Sequence, residues 1–532
     1  MRGYNAQVIS CLTRQEKILL MLFNSHVFIF GFLPIVFFGF YGIARYSHNL
    51  AALWLTAASL FFYGWWDARF VGLLLGSIGF NYAAGYLIGH RFFNKPKLLL
   101  ACAVISNLVL LGYFKYANFF IENLNHLAGT ALMTAEFVLP LGISFFTFTQ
   151  IAFLVDTYQG KVKEYNFIHY TLFVTYFPHL IAGPVLHHKE MMPQFKESST
   201  YYFSYENLLV GLTIFFMGLF KKVVLADGIA EYVGPVFAAP AAGIPLTFLD
   251  AWGGALCYTL QLYFDFSGYS DMAIGLSRLF GVTLPLNFHS PYKSLNIIEF
   301  WRRWHMTLSH FLRDYLYIPL GGNRKGHTHR YLNLMITMLL GGLWHGAGWT
   351  YILWGGLHGF YLVINHGWQY LHKRFWHKPS SKSLQALSVF ITFLAVVAGW
   401  VMFRADSLNT AAAIYKGMAG MNGFVLPGKW LTKWGFFGQW LSTQGFNFSK
   451  TETFIRGNAI NWIVMSLLIV WFAPNTQQIM ANFKPALHMP KGDGAKRLLW
   501  QPSYTWLVAS VVCAVFSILS ISELSEFIYF QF

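Results

Sequence analysis

One histidine lies in the middle of a long apolar stretch of the sequence. His345 belongs to the segment GGLWHGAG, and strongly hydrophobic residues flank it on both sides. An ionisable side chain at membrane depth is costly, so it is a functional candidate by default. The small residues around it would let another backbone or a substrate approach closely; they are Gly341, Gly342, Gly346, Ala347 and Gly348. The alternative is a histidine that only completes the packing between helices.

A second candidate, His305, stands in the aromatic and basic segment EFWRRWHMTLSHFLRD. An imidazole has the right pKa to take a proton from a hydroxyl near neutral pH. If an activated acyl group were held beside this base, the hydroxyl would attack it directly, without a serine or cysteine nucleophile. The sequence has no G-x-S-x-G elbow, Walker A loop, H-E-x-x-H motif or pair of C-x-x-C motifs, which fits that scheme. His305 and His310 do not share a helical face, and we expect no metal site.

The composition places these histidines in a membrane. The chain has 532 residues, of which 56% are hydrophobic, 19% aromatic and 11% charged, whereas soluble domains carry about 25% charged residues. The net charge of +16 does not indicate nucleic-acid binding, because Lys and Arg gather in short loops, as the positive-inside rule requires. The four cysteines form no C-x-x-C pair and read as small core residues.

Apolar runs close to the length of a membrane span recur along the chain. Among them are residues 27–44, 51–66, 98–114, 208–220, 384–403 and 507–519. We therefore predict an all-α polytopic membrane protein with roughly 11 to 13 membrane helices plus re-entrant and interfacial helices. Residues 139–149 and 176–184 bring Pro, Gly and hydroxyl side chains into apolar stretches, and irregular backbone at that depth predicts the wall of an internal site.

Two carboxylates interrupt another hydrophobic segment, YTLQLYFDFSGYSD. Asp265 and Asp271 should be paired with cations or protonated at this depth. A structural pair with an arginine such as Arg278 or Arg302 and a substrate-facing role are equally compatible with the pattern.

Residues 285–330 form the longest portion that does not span the membrane. Basic residues outnumber acidic ones here, which predicts the cytoplasmic side. Apolar side chains recur at spacings of three and four, which predicts one helix with an apolar stripe and a basic face, lying in the interface; the stripe comprises Trp301, Trp304, Leu308, Phe311, Leu312, Tyr315 and Leu316. At the N-terminus of the chain, residues 1–20 are polar and basic, which indicates a short extension or a mis-assigned start before Met21. Residues 21–532 are predicted to form a single membrane domain.

These motifs resemble the membrane-bound O-acyltransferase family, and within it the branch of the alginate O-acetylation membrane subunit. The resemblance rests on FWRRWH through RDYLYIPLGGNR, and on GGLWHGA further along the chain. YFDFSGYSDMAIG, FPHLIAGP, GWVMFR and the terminal FIYFQF agree with the same branch. The likeness extends from about Met21 to the C-terminus.

The resemblance implies a multi-helix fold with a central tunnel that crosses a thin partition between a cytoplasmic and an outward-facing funnel. It places the family's invariant histidine on His345, as the general base or the residue closest to acyl transfer. His305 falls on the second motif position, on the cytoplasmic side near the donor thioester. By the same resemblance Trp301, Trp304 and Trp344 are candidates to contact the donor, with a structural role as the alternative. Arg302 and Arg303 are candidates for the donor phosphates, against lipid headgroups and topology.

The function that the resemblance implies is O-acetylation of an extracytoplasmic polysaccharide by a multi-pass protein of the bacterial inner membrane. The acyl donor would be acetyl-CoA from the cytoplasm, with no bound cofactor. A periplasmic or membrane-anchored O-acetyltransferase would complete the transfer to the polymer. Alginate, peptidoglycan, cellulose and other exopolysaccharides all remain open as acceptors.

Three alternatives stay open at this stage. One is a D-alanyl transferase for teichoic acids that uses a carrier protein as donor. Another is a polysaccharide or lipid transporter without covalent chemistry, although the sequence shows no repeated halves. The third is a non-catalytic scaffold, against which the retention of both His305 and His345 argues.

Overall fold

The computed structural model describes residues 21–532 except 93, 135–137, 163–164, 182, 376–380, 450–453, 456, 491–493, 495–497, 522–526 and 529–532. The expected N-terminal extension, residues 1–20, and the end of the FIYFQF motif therefore lie outside the described residues. Most of the described residues lie in helices, and the strands among them are two three-residue segments. This confirms the all-α class.

The helices of the first half of the chain end with a long central helix. They are α1 (Leu33–Ala44), α2 (His48–Trp66), α3 (Arg69–Gly89), α4 (Pro96–Leu111), α5 (Ala117–Ala128), α6 (Ile143–Tyr158), α7 (Phe167–Thr175), α8 (Phe177–Leu180), α9 (His188–Lys196), α10 (Tyr205–Phe220), α11 (Asp227–Ala230), α12 (Val233–Ala238) and α13 (Phe248–Leu279).

The second half carries both candidate histidines. It consists of α14 (Ile297–Arg303), α15 (Met306–Leu312), α16 (His327–His345), α17 (Trp349–Phe375), α18 (Lys382–Arg404), α19 (Leu408–Met418), β1 (Val425–Pro427), α20 (Gly428–Lys433), α21 (Phe436–Thr443), β2 (Asn447–Ser449), α22 (Gly457–Phe472), α23 (Thr476–Ile479) and α24 (Tyr504–Leu519). Short π-helical segments continue several helices, at Val27–Phe32, Gly112–Tyr116, Lys221–Ala226 and Arg313–Tyr317.

Five helical stretches of the described residues are long and apolar enough to cross a membrane. They are Val27–Ala44, Arg69–Gly89, Pro96–Ala128, Tyr205–Ala230 and Lys382–Arg404. Other long helices, such as α13 with 32 residues and α17 with 27, have the length but carry more polar side chains. Such helices suit the interior of a bundle, where neighbouring helices rather than lipid surround them.

The central helix α13 packs on α10 through pairs of glycines. A Cβ atom at Gly218 would lie 2.6 Å from the carbonyl oxygen of Gly268, and one at Gly211 would lie 2.8 Å from that of Gly275. Both glycine pairs are seven residues apart along their helices, so they fall on one contact line. Small residues let backbones approach closely where burial of apolar area drives little association, as in a bilayer.

The glycines beside His345 divide between two roles. A Cβ at Gly342 or Gly346 would collide with Tyr351 of the next helix, so these two residues serve the packing of α16 on α17. Gly341 instead lines a cavity, and a Cβ there would meet the side chain of Leu312 at 3.2 Å. Within this motif, Gly342 and Gly346 therefore serve the packing of helices, whereas Gly341 lies at the cavity.

The expectation of one continuous interfacial helix through Trp301 and Leu316 is wrong. The segment is broken into α14, α15 and the π-helical turn Arg313–Tyr317. The break falls at His305, whose φ of 43° is in the left-handed region. A continuous helix cannot accommodate that conformation, and the break is what turns the His305 ring into the interior.

Candidate active site

His345 lies at the wall of an internal cavity. This inner cavity has a volume of about 340 Å³, and its wall is largely apolar. Its lining includes Trp301, Leu308, Met338, Gly341, His345 and Trp354. His345 is only 4% exposed, so most of its surface is covered by protein and only a small part faces the cavity.

The backbone presents His345 at the very end of a helix. His345 is the last residue of α16, because Gly346 is fully extended with φ −166° and ψ 148°. Aromatic rings enclose the imidazole, with ring centroids at 4.9 Å for Trp344, 5.1 Å for Trp354 and 5.3 Å for Phe403. Packing on several sides holds the ring in one orientation.

The second histidine is close to the first. The ring centroids of His305 and His345 are 6.5 Å apart, although 40 residues separate them in the sequence. His305 is fully buried and is not among the residues that line the inner cavity. The structure therefore brings the two candidate histidines close together, with His345 nearer the cavity.

Asn287 fixes the orientation of His305. The amide oxygen of Asn287 accepts from His305 Nδ1 at 3.1 Å and from Thr307 Oγ1 at 3.0 Å. Because an amide oxygen only accepts, the neutral imidazole carries its hydrogen on Nδ1 and its lone pair on Nε2. The backbone N–H of Met306 donates to the Asn287 carbonyl at 3.0 Å, so the same residue also holds the left-handed turn.

A larger, open cavity adjoins the inner one. This outer cavity has a volume of about 850 Å³, and Ile298, Arg302, Arg330 and His366 line both cavities. Its further lining includes Lys373 and His327. The lining contains three cationic side chains, Arg302, Arg330 and Lys373, and one carboxylate, Glu299, which is paired with Arg303; this excess of positive charge suits an anionic molecule.

The two neighbouring arginines of the FWRRWH motif differ in their surroundings. Arg302 lines both cavities. Arg303 forms an ion pair with Glu299 at 2.7 Å and donates to the His289 carbonyl at 3.4 Å. Arg302 is therefore placed to contact a ligand in either cavity, while the contacts of Arg303 tie α14 to the preceding loop.

The three candidate tryptophans also differ. Trp301 lines the inner cavity and stands edge-on to Trp354, with centroids 5.8 Å apart. Trp304 is 2% exposed and packs among other core rings, such as Trp400 at 4.9 Å. Trp344 stacks on Phe148 of α6 at 5.2 Å. Only the first of the three is placed by its cavity lining to touch a donor; the packing of the other two fits the structural alternative.

Asp265 and Asp271 are paired with lysines of the π-helical turn after α10. Asp265 lies 2.8 Å from Lys222, and Asp271 lies 2.6 Å from Lys221. The expected pairing with cations is present, but through lysines rather than Arg278 or Arg302. Neither carboxylate is among the residues that line the inner or outer cavity, so their contacts fit the structural alternative.

Two buried polar residues near His345 were missed by sequence reasoning. His358 is fully buried and packs against Trp354 at 5.0 Å and Trp301 at 5.2 Å. Lys115 is 4% exposed and hydrogen-bonds to the backbone of the helix end that carries His345. A lysine directly after the apolar run of residues 98–114 was a visible signal, but nothing in the sequence connects it with His345. Within the described residues, no group of three or more His, Cys, Asp or Glu is arranged to hold a metal ion.

Comparison with known proteins agrees with the motifs seen in the sequence. Residues 36–405 match the membrane-bound O-acyltransferase family. The peptidoglycan O-acetyltransferase of Helicobacter pylori is 46% identical over 449 residues, which cover 79% of this chain and 83% of that protein. The probable alginate O-acetylase AlgI of Pseudomonas aeruginosa is 38% identical over 565 residues, which cover 96% of this chain and 100% of that protein.

A more distant similarity bears on one of the alternatives. The teichoic acid D-alanyltransferase of Streptococcus thermophilus is 31% identical over 280 residues, which cover 49% of this chain and 68% of that protein.

The chain belongs to the membrane-bound O-acyltransferase family. It is accordingly a multi-pass membrane acyltransferase, and the resemblance seen in the sequence is confirmed.

Proposed function

We propose that this protein takes an acetyl group from acetyl-CoA on the cytoplasmic side of the bacterial inner membrane and passes it on for O-acetylation of an extracytoplasmic polysaccharide. The observation that carries the proposal is the position of His345. Its imidazole lies at the wall of a narrow, largely apolar cavity, and that cavity adjoins an outer one with a cationic lining.

The two cavities match the two ends of the proposed donor. The outer cavity offers Arg302, Arg330 and Lys373 to the phosphates of CoA. The inner cavity, at about 340 Å³, offers room and apolar walls to the pantetheine arm and an acetyl group. A carrier protein with a phosphopantetheine arm would use the same inner cavity but would present a protein surface to the entrance.

His345 supplies the chemistry that the transfer needs. Its neutral imidazole takes the proton from an acceptor hydroxyl, and the oxygen attacks the thioester carbonyl. The C–O bond forms, the C–S bond breaks, and the CoA thiolate leaves and takes up the proton. We assign His305, held by Asn287 at 3.1 Å, to support of this step from the second imidazole position. Trp301 and Arg302 would bind the donor at the cavity wall.

The acceptor is a polysaccharide in both groups of similar proteins named for acetylation. Peptidoglycan and alginate are the polymers in those names, so they are the first two to examine. The hydroxyl that receives the acetyl group at His345 therefore belongs to an intermediate acceptor, because a cavity of about 340 Å³ is too small for a polymer chain. A periplasmic or membrane-anchored O-acetyltransferase would complete the transfer from this intermediate acceptor to the polymer.

The test is the ester-linked acetate content of surface polysaccharide and of peptidoglycan in cells that lack the gene. The same cells are complemented with wild type, His345→Ala or His126→Ala. We expect acetate to disappear from one polymer in the cells that lack the gene. Wild type should restore it, and His345→Ala should not. His126 is exposed on α5, so His126→Ala is the matched histidine control and should restore acetate fully.

Two outcomes would contradict the proposal. Unchanged acetate in every fraction would exclude acetylation of a cell-surface polymer. Full restoration by His345→Ala at normal abundance would exclude His345 as the base. Labelled acetyl-CoA, given to inside-out membrane vesicles, tests the donor separately, since a carrier-protein donor would leave this label unused.

A further inference from the structure

A buried lysine meets the helix that carries His345 at its end. Lys115 belongs to the π-helical turn Gly112–Tyr116, between α4 and α5, and is 4% exposed. Burial of an ammonium group at membrane depth is expensive unless its donors are satisfied. Its location therefore calls for an explanation that the apolar stretch around it does not give.

The described partners of the Lys115 ammonium are neutral oxygens of two other elements. It donates to the carbonyl oxygens of Trp344 and His345, the latter at 3.4 Å, and to Ser144 Oγ at 3.2 Å. The next residue, Tyr116, donates its hydroxyl to the Leu343 carbonyl at 3.0 Å. Consecutive residues of one turn thus reach the last three carbonyls of α16.

Those carbonyls are the ones that a helix leaves without partners. The last four C=O groups of an α-helix have no intrahelical donor, and α16 ends at His345 because Gly346 is extended. The carbonyl end of a helix also carries a partial negative charge, which a cation stabilises. The ammonium of Lys115 donates to two of these carbonyls and also stabilises the partial negative charge of the helix end. Lys115 lies on a π-helical turn, a feature often found at functional sites.

We propose that Lys115 is a positioning residue for acyl transfer: its ammonium fixes the end of α16, and with it the imidazole of His345, against α6. Trp344 supports this clamp from the same helix end, because its ring stacks on Phe148 of α6 and lies 5.7 Å from the ammonium. The inference rests on the proposed role of His345 and adds what holds that residue in place.

The test compares kcat and KM for acetyl-CoA in membrane vesicles that contain the full-length protein. Lys115→Met keeps a similar volume but removes the ammonium. We expect kcat to fall about 10- to 100-fold, the range associated with a small misplacement of a catalytic group, while KM stays within about twofold because the donor contacts are untouched. Lys115→Arg retains the cation and should recover part of the lost kcat.

Lys222→Met is the matched control for loss of a buried lysine. Lys222 pairs with Asp265 and Asp227 at 2.8 Å each, away from the helix end. This variant should reduce the amount of folded protein without changing kcat per folded molecule. If Lys115→Met behaves like Lys222→Met, or leaves kcat unchanged, the inference is wrong.

Two further variants keep the test decisive if Lys115→Met does not accumulate. Tyr116→Phe and Ser144→Ala each remove one hydroxyl of the clamp, and each should lower kcat about two- to threefold at constant KM. An unchanged kcat in both variants would overturn the inference. His345→Ala is measured alongside: activity in that variant refutes the proposed function itself, whereas an inactive His345→Ala with a fully active Lys115→Met refutes only the role of Lys115.

Discussion

Two buried polar clusters lie in the same apolar helix bundle and are built in opposite ways. The first, the ion-pair cluster, consists of Lys221, Lys222, Asp227, Asp265 and Asp271. The second, the histidine cluster, consists of His305, His345 and His358, surrounded by aromatic rings. In the first, opposite charges meet at hydrogen-bond distance; in the second, titratable rings are buried among apolar neighbours beside a cavity.

The ion-pair cluster joins parts of the chain that are far apart in sequence. Thr476 and Gln477 donate to Asp271 at 2.6 and 2.7 Å, and the backbone N–H of Ile528 donates to Asp265 at 3.0 Å. It thereby fastens the C-terminal part of the chain to the central helix α13. Its carboxylates, taken alone in the sequence, looked as suitable for a substrate as the histidines did.

Under the proposed function, only one of these two clusters of ionisable residues carries chemistry. In the ion-pair cluster each charged group meets an opposite charge, whereas in the histidine cluster His345 lines a cavity and the other two imidazoles are buried among aromatic rings. A paired charge is compensated and holds structure. An imidazole at a cavity wall is in reach of a molecule that occupies the cavity, which is the basis of the role proposed for His345. The first three of the following changes should each act on one cluster and spare the other.

The largest effect is expected from His345→Ala. Loss of the general base should lower kcat by about 10²- to 10⁴-fold, and this loss should remain when the activity is expressed per folded molecule. The measurement is acetyl transfer from labelled acetyl-CoA, normalised to folded protein. Residual activity near that of wild type would erase the distinction between the clusters.

Lys222→Met should produce the reverse pattern. Removing one partner of a buried ion pair leaves a charge without compensation and costs about 3 to 5 kcal/mol of folding free energy. We expect a lower unfolding temperature and lower abundance, with unchanged kcat per folded molecule. The double variant Lys222→Met with Asp265→Leu should recover much of the stability, since an apolar pair can replace a buried ion pair. A fall in kcat of the folded fraction would count against a structural role.

A smaller effect is expected from His305→Ala, about 10- to 100-fold in kcat. His305→Asn serves as its companion, because asparagine tolerates the left-handed backbone at φ 43° better than alanine does. Equal losses in both variants would assign the effect to the missing ring. Recovery in His305→Asn would assign it to backbone strain instead.

The smallest effect concerns the entrance of the cavities. Arg302→Gln should raise KM for acetyl-CoA about tenfold, the value of one charge-assisted hydrogen bond, and leave kcat nearly unchanged. Arg303→Gln should raise KM less, because Arg303 is engaged with Glu299. Lys189→Gln, at an exposed position of α9, controls for the loss of one positive charge. Equal KM values for Arg302→Gln and Lys189→Gln would exclude a specific phosphate contact.

Several features of this protein were determined by the sequence alone. Composition and apolar run length specify an all-α membrane protein, because the bilayer demands both. The long motifs around His305 and His345 indicate the family. The lone histidine in GGLWHGAG and the small residues around it predict a site and a close approach, since these are local properties of a few neighbouring residues.

Only the tertiary structure decided which polar groups belong together. Lys115 and His345 are 230 residues apart, and their contact exists because α6 and α16 pack at the same π-helical turn. Asn287 reaches His305 through a left-handed break that no helical periodicity reveals. Asp265 and Asp271 met lysines instead of a ligand for the same reason: a sequence pattern shows which face of a helix is polar, whereas helix packing selects what that face meets.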